Sequence, residues 1–213
     1  MSEQHRNQRR DENWPKTITV ALTGASGSQY GLRLVQCLID AGMRVYLLVS
    51  QAGQVVLKME ADLEVPARPA EAEAFFLDYF NAQPGQLRVF GRQQWTAPVA
   101  SGTNPPDAMV ICPCTTGTLA SIAAGVSTSL IDRAADVTMK ESRKLILVVR
   151  ETPFTPIHLE NMLRLARAGA VILPPSPGFY HHPQTVADLV DFVVARVLDQ
   201  LAVPHTLMQR WGV

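Results

Sequence analysis

The sequence has little charge and no excess of either sign. Among its 213 residues, 19 lysines and arginines balance 19 aspartates and glutamates, and charged residues make up 18% of the chain, against roughly 25% in typical soluble domains. A neutral chain lacks the basic surplus that sequence-independent nucleic-acid binding requires, and no run of about 18 apolar residues is present to span a bilayer. Because hydrophobic residues nevertheless reach 47%, the chain is too apolar to be disordered. We therefore expect it to cover apolar surface with copies of itself.

Cysteine is scarce as well. Cys37, Cys112 and Cys114 form an odd set without the look of a disulfide framework, and no histidine or cysteine cluster beside them completes a zinc site. The N-terminus has no apolar segment of a secretory signal, and its acidic residues are untypical of a transit peptide. These absences predict reduced, mostly buried thiols in a cytoplasmic protein.

Apolar runs alternate with amphipathic stretches through most of the chain. The first sixteen residues carry seven charges and are predicted to form a polar, disordered tail, residues 1–16, ahead of a single domain, residues 17–213. Continuous apolar strands that alternate with helices are typical of a parallel sheet covered on both faces. The sequence therefore predicts a three-layer, Rossmann-like α/β fold with a mostly parallel sheet. Strands are predicted at 17–22, 44–49, 87–90, 108–112, 145–149 and 170–173, helices at 30–41, 51–59, 119–124, 130–139, 157–168 and 186–201, and a less regular stretch around Pro66, Pro69 and Pro84.

Open sheets of this kind bind ligands at the carboxyl ends of their strands. The first strand ends in Gly24-Ala25-Ser26-Gly27, a turn that leads into a helix whose N-terminal amides favour an anion. An ordinary turn capped by Ser26 explains the pattern equally well. The glycines at 24, 27 and 31 do not have the dinucleotide-binding spacing, and the second strand ends in Ser50 rather than in an acid. A nicotinamide-dependent dehydrogenase is therefore disfavoured.

Two further strand ends carry polar groups. The fourth strand leads into residues 113–118, whose three hydroxyls form either a second pocket wall or a helix cap. The fifth ends in Arg150-Glu151, where a planar guanidinium suits a phosphate, although a structural salt bridge is the alternative. Beyond the sixth strand, His181 and His182 could supply half of a metal site, but no third ligand is evident. The pattern favours a mononucleotide-sized ligand between the turns over a metal.

Five motifs occur in order along the chain. They are T-G-A-S-G-x-x-Y-G-x-R-L at 23–34, C-P-C-T-T-G-T-L at 112–119, R-A-A-D-V-x-x-K-E at 133–141, R-E-T-P at 150–153 and G-F-Y-H-x-P-Q at 178–184. Together they resemble the UbiX-type flavin prenyltransferases, and the resemblance extends from Thr17 to Trp211. It implies a metal-independent, FMN-binding, Rossmann-like enzyme that assembles as a dodecamer.

The resemblance also implies a reaction. Such enzymes transfer the dimethylallyl group of dimethylallyl monophosphate to reduced FMN, first at N5 and then at C6, and pass the prenylated FMN to a UbiD-type decarboxylase, often in ubiquinone biosynthesis. Breaking the C–O bond leaves an allylic cation and a developing phosphate anion, for which Lys140, Arg150 and Arg196 would supply fixed positive charge. The ring of Trp95 would shield the cation, and Glu151 or the released phosphate would take the C6 proton.

Matching motifs carry the functional residues of that family onto this chain. The implied catalytic residues are Ser26, Glu60, Lys140 and Glu151. The implied flavin contacts are Gly24, Ala25, Ser26, Ser50, Thr115, Thr116, Gly117, Thr118, Arg133 and Arg150. The implied substrate contacts are Trp95, Ser101, Lys140, Arg150, Glu151, Tyr180, Arg196 and Trp211. Thr115 departs from the serine that is frequent in relatives, but it keeps the hydroxyl.

Two rival functions would use the same kind of pocket. A flavin-dependent cysteine decarboxylase depends on an active-site histidine in the first half of the chain, where His5 in the polar tail is the only histidine. A passive flavin-storage protein needs a single phosphate site. Lys140, Arg150, Glu151 and Arg196 are instead expected to gather around a second phosphate, which favours the prenyltransferase.

Overall fold

Six strands and seven α-helices alternate through the part of the chain that the computed structural model describes, residues 14–209 and 212. The order is β1 (Thr17–Leu22), α1 (Ser28–Asp40), β2 (Arg44–Val49), α2 (Gln51–Ala61), α3 (Pro69–Tyr79), β3 (Leu87–Val89), a 3-10 helix (Pro98–Ala100), β4 (Ala108–Cys114), α4 (Thr116–Ala123), α5 (Leu130–Lys140), β5 (Lys144–Val149), α6 (Pro156–Arg167), β6 (Val171–Ile172) and α7 (Val186–Leu201). Most of the predicted polar tail lies outside the described residues.

The strands form one sheet in the order β3-β2-β1-β4-β5-β6. Every strand pairing within the described chain is parallel, so the predicted α/β architecture is confirmed. From β1 the strands β2 and β3 extend the sheet toward one edge, and from β4 the strands β5 and β6 extend it toward the other edge. The crossover helices therefore diverge between β1 and β4, which leaves a crevice at the carboxyl ends of these two strands.

Side chains of each strand point alternately into two separate cores, as the period of two along a strand requires. Val20 and Leu22 pack with α1, α2, α3 and α7 on one face, whereas Ala21 between them packs with α4, α5 and α6 on the other. All seven residues of β4 are buried. Helices on both faces explain why the strands are continuously apolar.

The helix α3 was not predicted, because its prolines suggested irregular chain. Pro69 is in fact the first residue of α3, where its missing N–H and fixed φ cost nothing. The helix is anchored in the core by Phe76, and Phe80 directly after it is also buried. A proline at the start of a helix is compatible with the helix, whereas a proline in the interior of a helix breaks or kinks it.

Several element ends also differ from the predictions. The strand β4 runs on through Pro113 to Cys114, with an irregularity in its pairing to β5. The helix α4 begins at Thr116, so residues 116–118 form a helical turn rather than a loop. The helix α2 extends to Ala61 and thereby includes Glu60. None of the helices in the described chain combines the length and the apolar character that a bilayer crossing needs.

Candidate active site

A buried threonine joins the two strand ends that flank the crevice. The hydroxyl of Thr23, which follows β1, donates to the carbonyl oxygen of Pro113 at 2.7 Å and accepts from the N–H of Thr115 at 2.9 Å. Thr23 is only 2% exposed. The glycine turn after β1 and the threonine turn after β4 are therefore held side by side.

Close backbone approach shapes the first turn. A Cβ added at Gly24 would collide with the side chain of Ala52, and one added at Gly53 would meet the carbonyl oxygen of Leu22. Ser50 caps the start of α2, and its side chain accepts from the N–H of Gly53 at 2.9 Å. The predicted flavin contacts at Gly24 and Ser50 thus border the same narrow junction between β1 and α2.

The N-terminus of α1 already holds a carboxylate from the chain itself. Glu60 Oε2 accepts from the N–H of Gly27, the N–H of Ser28 and the hydroxyl of Ser28, each at 2.9 Å. Burial acts to raise the pKa of Glu60, but hydrogen bonds from the side chain of Ser26 and from Ser28 and Gly27 outweigh it and lower the pKa below its usual value of 4.5. Glu60 is therefore ionised at neutral pH and is held at the start of α1 by its bonds to Gly27 and Ser28.

The second turn is organised as a helix cap. Thr115 precedes α4, and its hydroxyl oxygen accepts from the N–H of Thr118 at 3.1 Å and donates to the Thr118 hydroxyl at 2.9 Å. Gly117 is exposed, and the nearest atom to an added Cβ lies at 3.9 Å. The first N–H groups of α4 have no intrahelical acceptor, so the cap and a phosphate site can coexist at this turn.

A cleft of about 640 Å³ opens beside the first turn. Of the predicted site residues it brings together Ser26, Glu60, Arg150 and Glu151. The guanidinium Nε of Arg150 donates to the carbonyl oxygen of Ser26 at 3.2 Å, while Glu151 Oε1 accepts from the N–H of Thr152 at 3.1 Å. Within the described residues no ion pair joins Arg150 to Glu151, which removes the structural salt bridge as an explanation of this dipeptide.

A second group of predicted residues lies away from the cleft. Trp95, Ser101, Arg133 and Lys140, here called the α5 surface, sit on α5 and on the loop packed against it, and Arg133 Nε donates to the carbonyl oxygen of Ala100 at 3.1 Å. Lys140 precedes β5 and Arg150 follows it. Because the six residues of β5 span about 20 Å, these two cations cannot contact the same phosphate within one chain.

Two further predicted substrate contacts also lie outside the cleft of their own chain. Arg196 stands six residues beyond Val190, a cleft residue, which is about 9 Å along α7, and its guanidinium pairs with Asp199 at 2.7 Å. The ring of Tyr180 packs edge-on against Phe192, 5.9 Å between centroids. Within one chain, therefore, the four charged residues expected around a second phosphate do not gather. Trp211 lies outside the described residues.

Comparison with known proteins identifies the family. The Flavoprotein family matches residues 5–198 of the chain. The flavin prenyltransferase UbiX of Pseudomonas aeruginosa is 57% identical over 198 residues, which are 93% of this chain and 95% of that protein. The chain belongs to the UbiX-type flavin prenyltransferases. Membership makes it an enzyme of the transferase class.

Solved structures of other UbiX-type proteins agree in fold. AnUbiX (PadA1), crystallised with FMN and dimethylallyl pyrophosphate, is 37% identical with a TM-score of 0.82, covering 93% of this chain and 98% of its own. A dodecameric, FMN-dependent UbiX-like decarboxylase from Escherichia coli O157:H7 is 38% identical with a TM-score of 0.80, covering 92% of this chain and 100% of its own. The crevice between β1 and β4 thus belongs to a fold that binds FMN in relatives.

The site of this UbiX-type chain has the features that a flavin mononucleotide needs. The junction at Gly24 and Gly53 is a cradle that a Cβ would fill, and the first amides of α4 suit a phosphate. The cleft has the volume of ordinary small-molecule sites. Within residues 14–209, no cluster of histidine, cysteine or acidic side chains has the arrangement of a metal site.

Some residues of the site have no role in the sequence prediction. Tyr30 lines the cleft, and its ring carbons lie 2.8 and 3.0 Å from a Cβ built at Gly27, whose φ is +101°. Phe154, Val186 and Val190 supply apolar wall. Thr23 and Tyr30 stand inside the T-G-A-S-G-x-x-Y motif, so the signal was present, but nothing in the sequence says which way they point.

Proposed function

We propose that the chain joins the dimethylallyl group of dimethylallyl monophosphate to reduced FMN, forming bonds at N5 and C6. The observation that carries the proposal is the cleft, which brings an ionised Glu60 and the Ser26 hydroxyl into the same cavity as Arg150 and Glu151. The Pseudomonas aeruginosa relative is a flavin prenyltransferase, and PadA1 binds FMN and dimethylallyl pyrophosphate. Both support the same class of substrates here.

Residues of the two turns would hold the flavin. Gly24, Ala25 and Ser50 border the narrow junction, and the threonine turn at 115–118 offers hydroxyls and free helix amides. Bound reduced FMN supplies the nucleophile for the prenyl group. Arg150 lines the cleft and would be oriented by its bond to the Ser26 carbonyl, with its other N–H groups left for an anion. A fixed cation there stabilises the leaving phosphate as its negative charge develops.

Two carboxylates would divide the proton chemistry. Ser26 lines the cleft together with the ionised Glu60, and its hydroxyl can relay a proton at the reacting edge of the flavin. Glu151 accepts a single backbone N–H within the described residues and is free to take the proton released at C6. We expect Glu151→Gln to leave the second bond unformed, which absorbance spectroscopy would distinguish from normal product. Normal ring closure in that variant would remove Glu151 from the role.

The separation of the cleft from the α5 surface supports a homo-oligomeric enzyme. Lys140 and Arg150 can serve one phosphate only if the cleft of one chain faces the α5 surface of another. The Escherichia coli relative is a dodecamer, and we propose a dodecamer here.

Subunit mixing tests the shared site. Chains carrying Glu151→Gln and chains carrying Lys140→Met are each expected to be inactive. When the two are unfolded and reassembled together, about a quarter of the sites would combine an intact glutamate from one chain with an intact lysine from another, so activity should return. Mixed oligomers without any activity would show that both residues act within one chain.

The activity itself is tested directly. Purified protein is incubated without oxygen with reduced FMN and dimethylallyl monophosphate, and prenylated FMN is sought by mass spectrometry. Product should form with the wild type and with Lys58→Met, a control that removes an exposed lysine paired to Glu64, and should be lost with Lys140→Met. Bound FMN without any product would favour passive storage. Transfer to a UbiD-type decarboxylase, a role in ubiquinone synthesis and a cytoplasmic location remain predictions from the sequence.

A further inference from the structure

The motif R-A-A-D-V-x-x-K-E ends in Glu141, a residue without a role in the reaction described above. Glu141 directly follows α5 and its Oε1 lies 2.7 Å from Nζ of Lys140. The two side chains are 34% and 46% exposed respectively. An ion pair of this exposure stabilises a fold only weakly. Fold stability alone therefore does not explain why a glutamate stands next to Lys140, a predicted substrate contact.

Gly102 packs against the same ion pair. A Cβ built at Gly102 would collide with Glu141 Oε1 and would stand 2.7 Å from Nζ of Lys140. No positive φ requires glycine at this position. Glycine therefore leaves room for the ammonium and carboxylate groups where they stand, and a methyl group at this position would displace these two side-chain ends.

Hydrogen bonds are present on both sides of the ion pair. At the end of α5, the N–H of Glu141 donates to the carbonyl of Val137 at 3.1 Å and the N–H of Arg143 to that of Thr138 at 2.8 Å. In the facing loop, the hydroxyl of Ser101 is bonded to the hydroxyl of Thr103 at 3.0 Å. Arg133 thus ties the loop to α5 near the helix start, and Gly102 of the same loop stands against the Lys140–Glu141 ion pair at the helix end.

We propose that Glu141 and Gly102 are positioning residues that hold the ammonium of Lys140 beside the Ser101–Gly102 backbone, as a ready anion-binding surface for the substrate phosphate. A free lysine side chain samples many rotamers, and fixing it in advance lowers the entropy lost when the phosphate binds. Because Gly102 lacks a side chain, the ion pair can lie on the backbone instead of extending into solvent. The identity of the phosphate rests on the proposed function.

The test compares Glu141→Gln with Glu64→Gln. The control removes the carboxylate of another 2.7 Å lysine–glutamate ion pair, on α2 and the following loop. In FMN-loaded protein we expect Glu141→Gln to raise KM for dimethylallyl monophosphate about tenfold with little change in kcat, and to leave FMN affinity and oligomer size unchanged. Gly102→Ala should behave in the same way. The control should match the wild type.

A double-mutant cycle separates positioning from a general structural role. If Glu141 acts through Lys140, adding Glu141→Gln to Lys140→Met weakens the binding of inorganic phosphate to FMN-loaded protein no further. Losses that add independently would overturn the proposal. So would a KM that falls in Glu141→Gln, since that would show the carboxylate competing with the phosphate.

Binding of inorganic phosphate gives a readout that does not depend on turnover. Calorimetric titration of FMN-loaded protein should show phosphate binding about tenfold weaker for Glu141→Gln than for Glu64→Gln. If prenylated FMN is never formed but this difference is found, the proposed function fails and the positioning role stands. Equal phosphate affinity of the two variants overturns the positioning role whatever the activity.

Discussion

Glu60 offers the sharpest test of how the site is built. Its carboxylate closes the N-terminus of α1 through three hydrogen bonds of 2.9 Å to one oxygen. In Glu60→Gln the amide oxygen can replace that oxygen, so the bonds remain and only their charge is lost. Charge roughly doubles the strength of such bonds, and a helix N-terminus adds about 0.5 kcal/mol for an anion. We therefore expect a loss of about 2 kcal/mol in unfolding free energy near neutral pH.

The same reasoning gives the dependence on pH. The pKa of Glu60 is lower in the folded protein than its ordinary value of 4.5. A carboxylate of this kind contributes its full stability above the unfolded pKa and loses it as pH falls through the folded pKa. The difference between wild type and Glu60→Gln should therefore be constant well above pH 4.5 and shrink toward zero below it.

Urea unfolding of FMN-free protein measures this difference. The protein concentration is held fixed, because oligomer stability depends on it, and Glu160→Gln on the exposed face of α6 serves as control. That control should stay within about 0.5 kcal/mol of wild type. A loss in Glu60→Gln that is equally large at about pH 7 and about pH 3.5 would refute the reasoning, because shape rather than charge would then be responsible.

Three further predictions follow from contacts between the strand ends. Thr23→Val removes the only side-chain bond described for the Thr115 N–H, and thermal unfolding should show a loss of about 2 kcal/mol in unfolding free energy. Thr23→Ser keeps the hydroxyl and should lose much less, and equal losses in the two variants would contradict this. Gly31→Ala should destabilise, although alanine usually favours a helix, because its methyl would collide with the carbonyl oxygen of Cys112; a rise in Tm would contradict it. Burial raises the pKa of the Cys114 thiol to about 12, and burial also raises the pKa of the Cys112 thiol. Neither thiol should therefore react with iodoacetamide at about pH 8 until the protein unfolds. Labelling of either thiol in the native state would contradict this prediction.

Helices and strands whose buried apolar residues recur at a regular spacing were predictable from the sequence. The strands β1 and β2 and the helix α7 begin and end at the predicted residues, because apolar periodicity reports directly on which face a segment buries. The helix α3 was missed since Pro69 starts a helix as readily as it breaks one, and only the packing of Phe76 decides between the two. Local sequence does not contain that packing.

The motifs determined the family and named the residues of the site, but they could not say which of them meet. Glu60 reaches Gly27 across 33 positions of sequence and Thr23 reaches Thr115 across 92, and neither contact has a local signal. Lys140 and Arg150 are close in sequence, yet β5 lies between them and sets them about 20 Å apart.

The sequence by itself therefore determined the alternation of strands and helices, the family and the chemical groups available. Only the tertiary structure decided that Ser26, Glu60, Arg150 and Glu151 share one cleft while Lys140 faces elsewhere. The physical reason is that periodicity and motifs describe neighbours along the chain, whereas a site is made by the ends of parallel strands, which meet only after the sheet has formed.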